Sequence, residues 1–205
     1  MPLQRNGLKK MISAIVLAAG MSSRMGSPKQ LLKLEDRTLI RIVTENVLAS
    51  SVDEVLVVTG YLEHKVNDAI KDLPVKTVIN PRYEQGQGTS LAVGVRSLNI
   101  NTSAFLVFMV DQPFITASLI NTVIGEFKKR RSLVLRPVYN GQPGHPVIFN
   151  YDLSDQLKQL EGDEGARQIL KKLGNKVDCI PVQDEAAIFD IDTPEIYNSL
   201  KMKLK

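Results

Sequence analysis

Residues 11–29 read MISAIVLAAGMSSRMGSPK. The stretch 12–18 is, but for Ser13, an apolar run rich in β-branched residues, as a strand buried on both faces of a parallel sheet requires. The chain then turns polar, with Gly20 and Gly26, hydroxyls at Ser22 and Ser23, and cations at Arg24 and Lys29. A buried strand feeding a glycine-containing polar loop is how an open α/β sheet brings backbone close to a ligand at the carboxyl ends of its strands. Arg24 offers a bidentate fork and Lys29 a point charge, a set suited to a polyphosphate. An ordinary strand-to-helix loop with surface charges is the competing reading. The loop is not a Walker A loop, because Ser27 and Pro28 follow Gly26. Nor is it a nucleophile elbow, because Arg24 stands where the second glycine belongs.

Outward from this stretch, strands and helices alternate. Apolar residues at helical spacing predict a helix over 39–48, followed by a strand at 54–59 (EVLVVT) and a helix over 61–72. A short strand at 75–79, a helix over 89–98, a buried strand at 105–110 and a helix near 116–131 continue the rhythm. Strand, helix, strand implies right-handed crossovers and an α/β fold: a Rossmann-like, doubly wound, mostly parallel sheet. After Leu133, LVLRPVYNGQPGHPVIF predicts two short strands around a Gly/Pro turn, a small hairpin excursion. Helices over 153–160 and 166–173 flank the turn GDEG, and 176–182 is a last β stretch. A terminal helix starts with Thr193 as cap and Pro194 in its first turn. No repeat or long linker divides the chain. One domain over 11–205 is expected, after a flexible basic tail at 1–10.

Composition narrows the function. The 205 residues are 43% apolar and 23% charged, ordinary for a folded chain with a substantial core. The longest apolar runs, 14–21 and 104–110, fall far short of the ~20 residues a membrane span needs. The net charge of +4 sits in the ends, which hold six basic residues and no acid, leaving 20 basic against 22 acidic in the body. That distribution argues against a phosphate-tracking groove, and 5% aromatics with no Trp argues against base stacking, so no nucleic acid is expected. One cysteine, Cys179, excludes an internal disulfide and fits a reducing compartment. With only His64 and His145 beside it, no zinc-finger spacing can be built. Arg5, Lys9 and Lys10 ahead of MISAIVLAAGMSS resemble a secretory signal. Cleavage there would remove the first strand, so a cytoplasmic protein is expected.

Three loops leave the carboxyl ends of predicted strands: 19–29, 80–88 and 111–114. The turn 86–90 opens a helix whose free N–H groups, with Gly88 and Ser90, would form an anion or base-edge site, against the alternative of a plain helix entry. The dinucleotide fingerprint fails there because Leu91 replaces the third glycine, and Gly94 reads as a packing residue. Asp111 follows six apolar residues at the ligand edge, while Asp190 and Asp192 share a side if their segment is extended. Carboxylates from distant loops can hold one Mg²⁺; an end-of-strand turn and a helix cap are the alternatives for Asp111 and Asp192. His145, between Gly144 and Pro146, is either an acceptor-pocket residue or a structural hydrogen-bonder, with no Ser or Cys arrangement beside it. GDEGARQIL also reads as a helix entry with acids favourable to the dipole, and its Arg167 is a candidate contact for an acceptor phosphate. His64 reads as a surface residue.

LAAGMSSRMGSPK resembles the signature loop of the Rossmann-like nucleotidyltransferases, specifically the molybdenum cofactor cytidylyltransferases. Its LAAG is similar to the CTP-using enzymes and differs from the glycine-rich LAGGR of the guanylyltransferases. GQGTSLAVGV, VDQP, GHPV, GDEGAR and DIDTPE agree, so the resemblance runs from Leu17 to Glu195. The first loop is widespread among sugar-nucleotide and isoprenoid enzymes; GHPV with GDEGAR is much narrower. A related branch serves purine catabolism, maturing the cofactor for xanthine dehydrogenase. The resemblance implies transfer of CMP from CTP to the terminal phosphate of molybdenum-bearing molybdopterin, with release of pyrophosphate. It places Leu17, Ala18, Ala19 and Gly20 against base and sugar and Arg24 and Lys29 on the triphosphate. It also makes Asp111 and Asp192 ligands of Mg²⁺, with Asp190 a possible third, and leaves Lys29, Arg24 and Asp111 as the catalytic set. The implied partners are the two substrates and, transiently, a molybdenum hydroxylase or its maturation chaperone. Rival readings are a sugar or isoprenoid phosphate as acceptor, GTP as donor, a non-catalytic cofactor carrier, and an NAD-binding oxidoreductase. Retention of both carboxylates with Lys29 favours the enzyme.

Overall fold

The computed structural model describes residues 10–22 and 25–203, so Arg24 and all of the expected basic tail but Lys10 lie outside the described residues. The first half runs β1 (Met11–Ala18), a ribbon of β2 (Lys33–Leu34) and β3 (Arg37–Thr38), α1 (Leu39–Leu48), β4 (Glu54–Thr59) and α2 (Glu63–Ile70). It continues through β5 (Lys76–Ile79), α3 (Gln87–Arg96), β6 (Thr102–Met109) and α4 (Ala117–Arg130). The second half holds β7 (Val134–Tyr139), β8 (Gln142–Pro143), β9 (Val147–Asn150), α5 (Ser154–Leu157), α6 (Arg167–Leu173), β10 (Val177–Pro181) and α7 (Pro194–Lys203).

The main sheet has the order β10-β7-β9-β6-β1-β4-β5, with β8 attached to β7. β1 pairs in parallel with both β4 and β6, and β4 with β5, so the loops after β1, β4 and β6 open at one edge. β1 is apolar on both sides because both are covered. Ile12, Ala14, Val16 and Ala18 face the layer of α1, α2 and α4, while Ile15 and Leu17 face the layer of α3, α5 and α6. Each fully buried Ile, Val or Leu contributes roughly 1.5–3 kcal/mol, and the two clusters together fix which edge of the sheet is left open for loops.

The predicted hairpin forms between β7 and β8, where Tyr139 pairs with Gln142 across Asn140-Gly141, both at positive φ (48° and 81°). That is the turn an Asn-Gly pair favours. The second long strand of the segment does not stay with the excursion. β9 enters the main sheet antiparallel between β6 and β7, Val147 opposite Val107 and Ile148 opposite Leu135. Val147, Ile148 and Phe149 are buried, so the strand is apolar on both faces like its neighbours. The helix expected over 153–160 is the short α5, entered through a 3-10 turn at Tyr151–Leu153. Among the described residues, no helix is long and apolar enough to cross a membrane.

Candidate active site

The loop after β1 is shaped by its own hydrogen bonds. Gly26 turns it at φ 65° and Ser22 at φ 55°. The Met25 amide donates to the Ser22 carbonyl at 2.9 Å, and the Lys29 amide to Ser22 Oγ at 3.1 Å. Gln30, buried beside Lys29, donates its amide to the Gly20 carbonyl at 3.1 Å. Lys29 opens a 3-10 turn with Pro28 at its entrance, so its backbone is held on three sides and only its side chain is left to reach. Leu17, Ala18 and Ala19 are buried at the end of β1, whereas Gly20 is exposed and a Cβ there would meet nothing within 4 Å. The Gly20 backbone is therefore sterically open.

Lys29 reaches across the open edge of the sheet. Its Nζ lies 3.0 Å from Asp111 Oδ2 and 2.5 Å from Asp192 Oδ1, residues 82 and 163 positions away. Lys29 is 12% exposed, Asp111 18% and Asp192 50%, so the cluster is partly open to solvent. Burial pulls the Lys29 pKa down, but its hydrogen bond to Asp192 and the charge of Asp111 outweigh this, and it stands above the ordinary lysine value. The two carboxylates are brought together by the backbone. The Ile191 amide donates to the Asp111 carbonyl at 2.9 Å, and Ile191 is fully buried between Asp190 and Asp192.

Asp190 goes elsewhere. It accepts from Gln112 Nε2 at 2.5 Å, and burial, with the nearby charges of Asp111 and Asp192, raises its pKa despite that bond. Among the described residues, no three carboxylate, imidazole or thiolate groups gather at metal-binding spacing. What the site offers is two carboxylates on one cation position, now filled by an ammonium. That fits Mg²⁺, which uses one or two protein carboxylates and takes its other oxygens from water and substrate phosphates.

The entry to α3 differs from a free anion site. The Gly88 amide donates to the Gly162 carbonyl at 2.7 Å and the Thr89 amide to Gly86 at 3.2 Å. A Cβ on Gly88 would lie 2.5 Å from the Glu161 carbonyl oxygen, and one on Gly86 would lie 2.4 Å from Gly162. The glycines of GQG therefore let the GDEG turn close against α3, and the expectation of a free Gly88 N–H is corrected. Ser90 is buried, its Oγ accepting from Asn80 Nδ2 at 3.0 Å, and the same amide reaches Thr89 Oγ1 at 2.8 Å. Gly94 is the packing residue expected, with a Cβ there 2.8 Å from Ile15.

His145 stands just before β9, its amide donating to the Ala187 carbonyl at 2.7 Å. Burial first, then the charges of Arg136 and Arg167, hold its imidazole down to about 4, so it is neutral at pH 7. Arg167 is exposed at the start of α6 and within electrostatic reach of that ring. The structure thus brings together Lys29, Asp111 and Asp192 in one cluster and His145 with Arg167 in another. Reading by loop left out three side chains: Gln112, which holds Asp190; Asn80, which braces Thr89 and Ser90; and Arg136 beside His145. Asn80 and Gln112 lie in the loops singled out at 80–88 and 111–114, but their amides became informative only once their partners were known. His64 is on the surface, its side chain 93% exposed.

Known proteins can be set against this geometry. An Escherichia coli K12 protein named molybdenum cofactor cytidylyltransferase is 29% identical over 191 residues, 93% of this chain and 95% of its own. A Paenarthrobacter nicotinovorans protein named nicotine blue oxidoreductase is 28% identical over 193 residues, 90% of this chain and 93% of its own. Likeness this even selects neither name. A crystal structure of Rv0371c from Mycobacterium tuberculosis H37Rv in complex with manganese matches with a TM-score of 0.80 at 22% identity, covering 94% of this chain and 98% of that one. This is a likeness of fold. The sequence pattern of the MobA-like NTP transferase domain matches residues 14–177, a span that includes the loop after β1, Lys29, Asp111, His145 and the GDEG turn. The chain belongs to the MobA-like NTP transferase family.

Proposed function

We propose that the protein transfers CMP from CTP to the terminal phosphate of molybdenum-bearing molybdopterin, releasing pyrophosphate. The observation that carries this reading is the convergence of Lys29, Asp111 and Asp192 at the open edge of the sheet, beside the loop after β1. An oxygen of the acceptor phosphate attacks the α-phosphorus of CTP, the α–β bridging bond breaks, and pyrophosphate departs. The acceptor is already anionic near pH 7, so no strong general base is needed and the work is positioning and charge neutralisation. Leu17, Ala18, Ala19 and Gly20 receive base and sugar through backbone groups, and Ser90 adds its hydroxyl near the entry to α3. Lys29 offers its ammonium, and Arg24 its guanidinium, to the triphosphate. Asp111 and Asp192 would hold a Mg²⁺, which when bound would supply charge neutralisation at the reacting phosphate. The manganese complex of Rv0371c supports a divalent ion in this fold. His145 and Arg167 face the acceptor.

LAAG in the first loop supports CTP as donor, and the even match to an oxidoreductase name makes a direct assay necessary. In this reading the protein is a single domain over 11–205, works in the cytoplasm, and hands its product to a molybdenum hydroxylase such as xanthine dehydrogenase. The test is a binding titration of CTP, GTP and UTP with Mg²⁺, followed by pyrophosphate release with the pterin acceptor. CTP is expected to bind tightest and to be consumed only when the acceptor is present. Consumption of GTP in its place would overturn the donor, and no pyrophosphate with any nucleotide would overturn the transferase.

A further inference from the structure

Arg136 is a cation with no carboxylate partner among the described residues. It follows Leu135, which packs in the α1–α4 layer, and stands two residues after Val134, which packs in the α3–α6 layer, so alternation sends its side chain to the α3–α6 face. Its Nε is buried with no hydrogen-bond partner, and its Nη2 makes one long bond, 3.4 Å, to the Gly144 carbonyl. No carboxylate among the described residues forms an ion pair with it. Next along the chain from Gly144 is His145, whose Nδ1 is also buried and without a partner, and Arg167 adds a second positive charge from α6. Buried charges in proteins are normally paired, and buried ring nitrogens normally bonded. Two orphaned polar atoms, one on the arginine that reaches the Gly144 carbonyl and one on the next residue along, describe a place that an anion from outside completes.

We propose that Arg136, with Arg167 and His145, forms an oxyanion subsite for the acceptor, and that Arg136 is its anchor. The ligand chemistry is a phosphate monoester, gripped by the planar guanidinium fork at two of its oxygens. As the anion docks, it offsets the positive charge facing His145, whose Nδ1 then takes a proton and donates to it. The inference rests on the reading above only in making the acceptor a phosphate.

The chain has two histidines, and exposed His64 on α2 serves as an internal reference. In NMR spectra of the full chain, added inorganic phosphate is expected to shift the His145 ring signals saturably and to raise their titration midpoint, leaving those of His64 in place. Arg136→Gln is expected to abolish that response. Arg136→Lys, which keeps the charge and loses the fork, is expected to retain a weaker one, and it stands in if the glutamine variant does not fold. In turnover, Arg136→Gln is expected to raise KM for the acceptor by about tenfold or more and leave KM for CTP unchanged. Absence of any His145 response to phosphate, or an equal response in Arg136→Gln, would overturn the subsite. A response to CTP with none to phosphate would overturn its assignment to the acceptor. Should His145 answer to phosphate through Arg136 while no nucleotide is consumed in any assay, the subsite stands and the proposed transfer fails.

Discussion

Two cations sit on the ligand side of this sheet, and they are treated in opposite ways. Lys29 is held between Asp111 and Asp192, so its single charge is answered by two carboxylates within the chain. Arg136 is half-buried with no carboxylate partner among the described residues, beside a neutral imidazole with an unpartnered nitrogen. Burying charge without a partner costs several kcal/mol per ion in real proteins, so the second arrangement persists only because packing elsewhere offsets it. A satisfied cluster is a place where one cation can be exchanged for another. An unsatisfied one is a place waiting for an anion. In the proposed reading, the contrast separates a cation position from an anion position, as a transfer between two phosphates requires.

The strongest way to break this contrast is to remove the carboxylate that the first cluster depends on. Asp111→Ala is expected to lower nucleotidyl transfer on the order of a thousandfold or more, with far-UV circular dichroism unchanged. Normal turnover would mean that the cluster is a structural ion pair. Lys29→Ala is expected to lose ~2–4 kcal/mol of transition-state stabilisation, read as a drop in kcat/KM, and an unchanged rate would detach the first loop from the chemistry. Just before Arg167, the GDEG turn meets α3 in a tight seam. There Gly88→Ala would drive a Cβ to 2.5 Å from the Glu161 backbone. A cost of ~1–3 kcal/mol is expected, measured as a lower denaturant midpoint. A midpoint unchanged by Gly88→Ala would show that the seam can open.

The smallest effect sharpens the second region. His145 is held near 4 in the folded chain against 6.5 as its ordinary value. The unfolded chain therefore takes up this proton first. The contribution is fully present above pH 6.5 and is lost as the pH falls from 6.5 towards 4. His145→Asn is expected to flatten the stability profile in that window. An unchanged profile would mean that the imidazole titrates normally and that the guanidinium groups do not press on it.

Much of the fold could be read from one dimension. β1 was legible because an apolar run buried on both faces has no polar alternation, and the Asn140-Gly141 turn because few residues accept positive φ at consecutive positions. The place of β9 was not legible. Val147, Ile148 and Phe149 announce a buried strand, but nothing local says that its partners are β6 and β7. GQG looked like a helix entry with spare N–H groups, and the Gly162 carbonyl that takes the Gly88 amide lies far along the chain. Arg136 gave no signal, since an arginine in a strand reads as a solvent-facing side chain until its surroundings show that it is not.

Residue chemistry and periodicity by themselves determined the α/β class, the loop that leaves β1, and the candidacy of Lys29, Asp111 and Asp192. These properties are carried within a few neighbouring positions, where backbone geometry and side-chain type act directly. Tertiary packing alone decided that those three side chains meet, that Asp190 turns to Gln112, and that Arg136 lies beside His145. Such meetings depend on where buried residues such as Ile191 and Val147 find room, and that is set by the whole core at once.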